Sequence, residues 1–459
     1  MTSAKSLIII GGGVAGYVAA IRAAQLGGQV TLVEKDALGG TCLNRGCIPT
    51  KALLQSAAVL WQTKRAADFG VKVSPPTLDF GTVARRKDAI VQQLVAGVTT
   101  LMKKNKVRVI KGSGTIVAPG RVKVDSGEEI SGDAILVATG SRPATVPIPG
   151  VDQPGVITSD QALALTELPA SVVIIGGGVI GLEFAQLWHR LGVKVTVVEM
   201  MPQVLPNEDS EVAKMLEALL TDEGIAIFTG ARVNAIKTAS SGQVVAFTSQ
   251  DEAREVTAER VMVAVGRRPN SDNLGLEALG VSLEKGNIVV DEYLATGVAG
   301  VYAAGDVLGG IMLAHKAMAD GRVAAQNALG SPTEADYRAV PRCVYTSPEV
   351  AAVGLTESQA KAKYPRVQVG RFPFKANGKA LILGESEGMV KVIADAEYGE
   401  LLGVAILGPH ATDLIAEATL GISLEATFKD LAGAIHAHPT LAEAVMEAAL
   451  AVEGGAVHL

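Results

Sequence analysis

The feature that most restricts how this chain can fold is a repeat. Residues 6–34 read SLIIIGGGVAGYVAAIRAAQLGGQVTLVE, and residues 171–199 read SVVIIGGGVIGLEFAQLWHRLGVKVTVVE. Each copy runs from an apolar stretch through a glycine turn into a helix-like segment, then into a second apolar stretch that closes on a glutamate. Gly11, Gly13 and Gly16 recur as Gly176, Gly178 and Gly181, and Glu34 recurs as Glu199, all at an offset of 165; each Glu falls 18 residues after the third glycine. In a strand–turn–helix unit the first glycine makes the tight turn and the second lets backbone approach a pyrophosphate. The third lets helix and strand pack closely, and free N–H groups at the helix start face the phosphates. The Glu at the end of the second strand can accept the hydroxyls of an adenosine ribose. One such motif is weak evidence. Two copies in the same context, each closing on a Glu, predict two dinucleotide sites.

Glu199 is followed by Met200, Met201 and Pro202, with no arginine nearby. A ribose 2′-phosphate would meet a carboxylate and no guanidinium there, so the second site is expected to take NAD rather than NADP. Each copy also ends on a similar segment, AILVATGSRP (134–143) and RVMVAVGRRPN (260–270). From third glycine to terminal glycine the first copy spans 124 residues, to Gly140, and the second 85, to Gly266.

The extra length of the first copy contains KDALGGTCLNRGCIPTKALL, with Cys42 and Cys47 in a C-x4-C spacing. Such a pair can be a redox disulfide, two buried thiols or half of a metal site; no other Cys or His is close in sequence, which weighs against the metal. Residues five apart in a regular helix are about 8.6 Å apart at Cα, beyond disulfide reach, so the pair closes only if the helix has not begun at Cys42. Gly46 and Pro49 suit a helix that starts near Cys47. Its dipole would stabilise a Cys47 thiolate, making Cys47 the better leaving group and Cys42 the sulfur that an incoming thiolate attacks. The expectation is a redox disulfide beside the first dinucleotide. Cys343, alone in PRCVYTSPEV, reads as a core residue.

Composition narrows the class. Hydrophobic residues make up 48% of the 459, ample for large cores. A net charge of −6 argues against nucleic acid or an anionic membrane as partner. The stretch Ser6–Ile21 is uncharged over 16 residues but shorter than the ~20 that span a bilayer and interrupted by glycines, so no targeting or membrane segment is read. Three cysteines in so long a chain point to a reducing, cytoplasmic setting.

At GGTCLNRGCIPTK (39–51) the sequence resembles the pyridine nucleotide–disulfide oxidoreductases, and the resemblance runs over essentially the whole chain. It implies an α/β protein of the glutathione-reductase-like kind, with two Rossmann-like dinucleotide-binding domains and an α+β C-terminal dimerisation domain. The divisions expected are 1–145 for FAD, 146–269 for NAD, 270–335 for a central part completing the FAD site, and 336–459 for the interface. The resemblance assigns FAD to the first turn and NAD to the second. Gly114, Thr139, Gly140, Ser141, Asp306 (in TGVAGVYAAGDV) and Ala314 (in MLAHKA) match FAD-contacting positions, and Lys51 matches a lysine near the flavin that pairs with a glutamate, here Glu183. Val179, Val233 and Gly266 match NAD-contacting positions. HAHPTLAE supplies His438 as general base, with Pro439 opening a helix and Glu443 orienting the imidazole. The base would reach the active site from the partner subunit of a homodimer.

Within the family the match is best to members that oxidise protein-bound dihydrolipoamide with NAD+, since NADP-using reductases carry arginines after the position of Glu199. The implied partner is the lipoyl domain of a dihydrolipoyl acyltransferase in a 2-oxo acid dehydrogenase complex, or a glycine-cleavage lipoyl carrier, with no metal. Two alternatives stand beside this one: another NAD(P)H-dependent disulfide reductase, and a non-catalytic dinucleotide-binding redox sensor.

Overall fold

The computed structural model describes residues 4–459, which form two compact units. The first comprises residues up to Thr145, Thr158–Glu167 and Gly266–Asp336; the second comprises Val146–Ile157, Leu168–Val265 and Tyr337–Leu459.

The first unit is built on β1 (Ser6–Ile10), α1 (Val14–Gln25), β2 (Gln29–Glu34), α2 (Gly40–Arg45), α3 (Cys47–Lys64), α4 (Phe80–Lys104), β3 (Arg108–Lys111) and β4 (Ala134–Val137). The strand Val301–Ala303 joins them in a parallel sheet, in the order Val301–Ala303, β4, β1, β2, β3. Leu7, Ile8, Ile9 and Ile10 are all at most 4% exposed, as a parallel strand covered on both faces requires. Small residues let α1 approach the helix Ala314–Ala328: Ala15, Ala19, Ala20 and Ala23 are buried, and a Cβ on Gly321 would lie 2.3 Å from Ala15 O. A three-stranded antiparallel meander (Gly114–Ala118, Arg121–Val124, Glu129–Ser131) lies between β3 and β4 in the chain.

The second unit repeats the plan with β5 (Ser171–Ile175), α5 (Val179–Arg190), β6 (Lys194–Val198), α6 (Ser210–Glu223), β7 (Ala226–Phe228) and β8 (Arg260–Val263). The sheet order is Val156–Thr158, β8, β5, β6, β7, and a second antiparallel meander, residues 231–258, precedes β8. The two copies differ where the cysteines are: α2, α3 and α4 stand between β2 and β3, where the second copy has α6 alone. That difference accounts for the greater length of the first copy.

The same unit carries a five-stranded antiparallel sheet, in the order Arg342–Val344, Glu349–Gly354, Leu401–Gly408, Met389–Asp395, Val367–Pro373. The helices Ala411–Ser423 and Glu443–Leu450 contribute to its core, in which Phe372, Phe374, Val390, Ile406 and Ala448 are at most 2% exposed. The α/β class, the two Rossmann-like sheets and the α+β C-terminal part expected from the sequence are all present. Among the described residues, no helix is long and apolar enough to cross a membrane.

Candidate active site

The two glycine turns have the same construction. Gly11 (φ +106°) and Gly176 (φ +110°) adopt a conformation that side chains disfavour, and a Cβ on either would lie about 2.5 Å or less from a carbonyl of the neighbouring strand end, Ala138 O or Ala264 O. A Cβ on Gly16 would sit 1.8 Å from Gly11 O, and one on Gly181 would sit 2.0 Å from Gly176 O. These four glycines are therefore required by the protein's own packing. Gly13 and Gly178 are not: the nearest atom to a Cβ on Gly13 would be 3.9 Å away, and a Cβ on Gly178 would meet nothing within 4 Å.

Those open positions precede α1 and α5, two helix N-termini with neither a side-chain cap nor an acidic residue in the first turn. A helix start left so bare suits an anionic phosphate. Gly140 (φ +69°) and Gly266 (φ +112°), at the ends of the corresponding strands, are equally open. The donor set and the room fit a dinucleotide at each turn.

The glutamates are fixed in the same way. Glu34 accepts from the amides of Gly12 (2.5 Å) and Asp36 (2.6 Å), and Glu199 from those of Gly177 (2.5 Å) and Met201 (2.7 Å). Burial pushes the Glu34 carboxyl above its ordinary value. Glu34 ends β2, whereas Glu199 lies one residue past β6.

The expectation that no helix has begun at Cys42 is corrected. Cys42 lies within α2, a six-residue helix, and Gly46 (φ −147°, ψ −115°) breaks the chain before α3 starts at Cys47. The break turns one continuous helix into two, and so brings the sulfurs together where a regular helix would hold them apart. Both cysteines are half-buried and share a hydrogen bond. That bond, burial and the repulsion of a Cys47 thiolate push the Cys42 thiol far above its ordinary value, with Lys51 pulling the other way. Cys47 occupies the first position of α3, where the helix dipole favours the charge of the reduced pair and leaves the proton to Cys42. Lys51 lies one turn further along α3 and is half-buried.

Asp306, in the turn Gly305–Leu308, is close enough for its charge to act on Cys42. Its Oδ2 accepts from Ser141 Oγ at 2.6 Å. Thr139 Oγ1 donates to Asn270 O at 2.7 Å, and the segments Ser141–Pro143 and Arg267–Pro269, one from the end of each copy, pair antiparallel. Gly114 opens the first meander, where a Cβ would lie 3.1 Å from the Val122 side chain. Ala314 opens the helix Ala314–Ala328.

In the second unit, Val179 opens α5 and is 38% exposed, Val233 precedes a bulge in the second meander, and Glu183 is buried with Oε1 accepting from Tyr345 N at 3.0 Å. His438 Nδ1 and Glu443 Oε1 are 2.8 Å apart, and Glu443 Oε2 accepts from Thr440 N at 2.8 Å. Burial would raise Glu443, but the Thr440 amide and His438 outweigh it and hold the carboxylate below its ordinary range. The His438 side chain is 80% exposed. Pro439 does not open the helix: the helix begins at Glu443, because Thr440 makes a turn whose Oγ1 donates to Ala437 O at 2.7 Å. Cys343 is half-buried against the core of the C-terminal sheet.

Two positions escaped the sequence reading. Arg267 donates from Nε to Ser141 Oγ (2.7 Å) and from Nη2 to Ser141 O (2.9 Å), so it stands behind Asp306 through Ser141; the recurrence of Gly-x-Arg-Pro at 140–143 and 266–269 was the available signal. Asp320, with a fully buried side chain, pairs with Lys316 at 2.7 Å and accepts from Gly305 N at 3.0 Å, fixing the turn that presents Asp306. Its signal was a Lys and an Asp four residues apart on an otherwise buried helix face. Among the described residues, no group of three or more His, Cys, Asp or Glu is placed to hold a metal ion.

Residues 5–321 match the family described as pyridine nucleotide-disulphide oxidoreductase, and residues 340–449 match its dimerisation domain. The chain is 46% identical over 473 aligned residues to a dihydrolipoyl dehydrogenase of Bacillus subtilis (strain 168), with 100% of both chains covered. Among solved structures, LpdA of Mycobacterium tuberculosis is similar with a TM-score of 0.89 at 31% identity, covering 97% of this chain and 99% of that one. The HOCl-induced flavoprotein disulfide reductase RclA of Escherichia coli is similar with a TM-score of 0.87 at 30% identity, over 97% and 99%. The family match begins just before β1 and spans both glycine turns, and the dimerisation match covers the C-terminal sheet. This enzyme belongs to the pyridine nucleotide–disulphide oxidoreductase family.

Proposed function

We propose that the enzyme oxidises protein-bound dihydrolipoamide to lipoamide with NAD+ as acceptor, using a redox-active Cys42–Cys47 disulfide and FAD. The observation that carries this reading is the Cys42–Cys47 pair, split between α2 and α3 by Gly46 and polarised toward a Cys47 thiolate. FAD belongs to the first turn, held by Gly11, Gly13, Gly16, Glu34, Lys51, Gly114, Thr139, Gly140, Ser141, Asp306 and Ala314. NAD belongs to the second, held by Gly176, Gly178, Val179, Gly181, Glu183, Glu199, Val233 and Gly266. FAD, when bound, supplies the two-electron exchange between a dithiol and a nicotinamide that sulfur chemistry lacks.

The chain's own residues handle protons and sulfur. His438 of the partner subunit, its Nδ1 held by Glu443, accepts the proton of one substrate thiol at Nε2. The thiolate attacks Cys42 Sγ; a substrate–Cys42 bond forms, the Cys42–Cys47 bond breaks, and Cys47 leaves as a thiolate stabilised at the start of α3. The second substrate thiol attacks the substrate sulfur bound to Cys42, and its proton passes to the departing Cys42 sulfur. The lipoyl ring closes and Cys42 departs, leaving both electrons in the dithiol.

In this reading residues 1–145 and 270–335 serve FAD, 146–269 serve NAD, and 336–459 join two subunits. The partner is a lipoyl domain of a 2-oxo acid dehydrogenase or glycine-cleavage system, in the cytoplasm. Titrating the flavin-loaded enzyme with dihydrolipoamide should raise a long-wavelength absorbance band from a thiolate against the flavin, and His438→Gln should suppress its formation. A protein that binds no flavin, or a Cys47→Ser form with full activity, would sink the proposal. The likeness to RclA favours one other reading, reduction of a different disulfide or small oxidant. Turnover of glutathione disulfide with NADPH exceeding that of dihydrolipoamide with NAD+ would select it.

A further inference from the structure

The repeat carries one asymmetry that the reaction does not use. In the first copy, the amide of Gly39 donates to Gly12 O at 2.8 Å, closing the segment after Glu34 onto the glycine turn; the chain then enters α2 and delivers Cys42. In the second copy, the amide of Leu205 makes the corresponding bond to Gly177 O at 2.9 Å. Leu205 is 2% exposed and has a positive φ of 45°, so this closure is held in a conformation that a leucine disfavours. Here the chain carries no cysteines onward. It runs through Glu208 and Asp209 into α6.

Glu208 and Asp209 are gripped from the C-terminal sheet. Arg342 donates to both oxygens of Glu208, at 2.9 Å and 3.2 Å from Nε. Lys391, in the middle of the strand Met389–Asp395 and 2% exposed, donates to Asp209 at 2.9 Å and 3.0 Å, to Glu211 at 2.9 Å and to Glu357 at 2.7 Å. Arg371 donates to Glu211 (3.0 Å and 2.9 Å) and to Glu357 (2.8 Å), and Lys361 to Glu357 (2.6 Å). Four carboxylates thus face four cations. At its centre Lys391 and Asp209 are 2% and 4% exposed; a buried pair of this kind stabilises a fold no better than apolar side chains of the same volume would, but losing one partner leaves an uncompensated buried charge.

We infer that this cluster is a latch, with Lys391 as its positioning residue, through which the dimerisation sheet sets the NAD turn. The path is continuous: Lys391 and Arg342 hold Asp209 and Glu208, the Glu208 amide donates to Leu205 O at 2.9 Å, the Leu205 amide donates to Gly177 O, and the Gly177 amide donates to Glu199. The first copy spends the equivalent segment on bringing cysteines to its cofactor. The second spends it on tying its cofactor turn to the part of the chain that meets the partner subunit. Because coupling is reciprocal, NAD(H) binding should in turn tighten the latch.

The inference rests on the second turn being the NAD site, and the experiment separates the two. In the flavin-loaded dimer, Lys391→Met should raise the dissociation constant for NADH and KM for NAD+ roughly tenfold, while KM for dihydrolipoamide and the rate at which dihydrolipoamide reduces the enzyme stay unchanged. Lys391→Arg should recover most of the affinity. In the wild-type holoenzyme, NADH should slow amide hydrogen exchange in residues 204–211 and 389–395, a readout that needs no variant to fold. Unchanged NADH affinity in a folded Lys391→Met dimer, or unchanged exchange in those segments on NADH binding, overturns the latch. NADH affinity indifferent to Glu199→Ala overturns the site assignment instead.

Discussion

Gly178 and Gly181 are three residues apart in one turn, and they are glycine for different reasons: a Cβ on Gly181 would lie 2.0 Å from Gly176 O, and one on Gly178 would meet nothing within 4 Å. Packing explains the first and only a bound group explains the second. Gly178→Ala should therefore fold with nearly unchanged thermal stability yet bind NADH roughly tenfold more weakly, a loss of about 1.4 kcal/mol. Gly181→Ala should instead destabilise by roughly 1–3 kcal/mol or more, as core overpacking does. Thermal melts and NADH titration of the pair decide it; equal loss of stability in both would refute the distinction.

The polarisation of the dithiol makes a second prediction. If the charge of the reduced pair rests on Cys47, then Cys47→Ser removes the leaving group and Cys42→Ser removes the target of attack, and each should lower dihydrolipoamide–NAD+ turnover by about a thousandfold or more. Flavin content should be unchanged in both. Only the reduced Cys42→Ser enzyme, which keeps Cys47, should retain the long-wavelength band at neutral pH. The band surviving in Cys47→Ser would reverse the roles of the two sulfurs.

What could be read in advance follows the range of the interactions. The turns, their glutamates and a helix starting at Cys47 are local, set by glycine, proline and apolar runs within 30 residues, and all were legible. The separate helix α2 was not, because no residue before Gly46 forbids an extended start or demands a helical one; the choice is made by the Gly39 amide bonding to Gly12 O, a contact between segments 27 residues apart. Pro439 looked like a helix opener because proline is favoured there. Thr440 claimed Ala437 O and the Glu443 carboxylate first, and moved the start to Glu443. Lys391 was invisible because its partners Asp209 and Glu211 lie 182 and 180 residues away.

The His438–Glu443 pair makes the third prediction. Glu443 is held below its ordinary range, so it remains a carboxylate through the neutral region and keeps His438 Nδ1 engaged, leaving Nε2 to take the thiol proton. Glu443→Gln should lower turnover by roughly 10²-fold and His438→Gln by roughly 10²- to 10⁴-fold, the usual span for a positioned base. NADH oxidation by a small one-electron acceptor such as ferricyanide, which bypasses the dithiol, should be spared in both. Equal losses in the two assays would show that the substitutions damage the fold rather than the base.

The latch around Glu357 gives acid stability a definite sign. Burial would raise this carboxyl, but bonds from Lys361 and Lys391, with the charges of Lys391 and Arg371, bring it down to about 2 from an ordinary 4.5. In the unfolded chain it titrates near the ordinary value. Between the two values the unfolded state binds a proton that the folded state refuses. The stability Glu357 contributes is therefore full above about 4.5 and is lost as pH falls toward 2. Lys391 works at the other end: burial would lower it, but Glu357, Asp209 and Glu211 outweigh burial and raise it above 10.5, so its contribution holds throughout the neutral range and fails only in strong base. Glu357→Gln should lower the melting temperature at neutral pH, yet its melting temperature should fall less steeply than the wild type's on acidification, and the two should converge near pH 2. Calorimetry of the holoenzyme from about pH 2 to pH 7 tests this. Parallel curves across that range would mean that the proton on Glu357 is not coupled to folding.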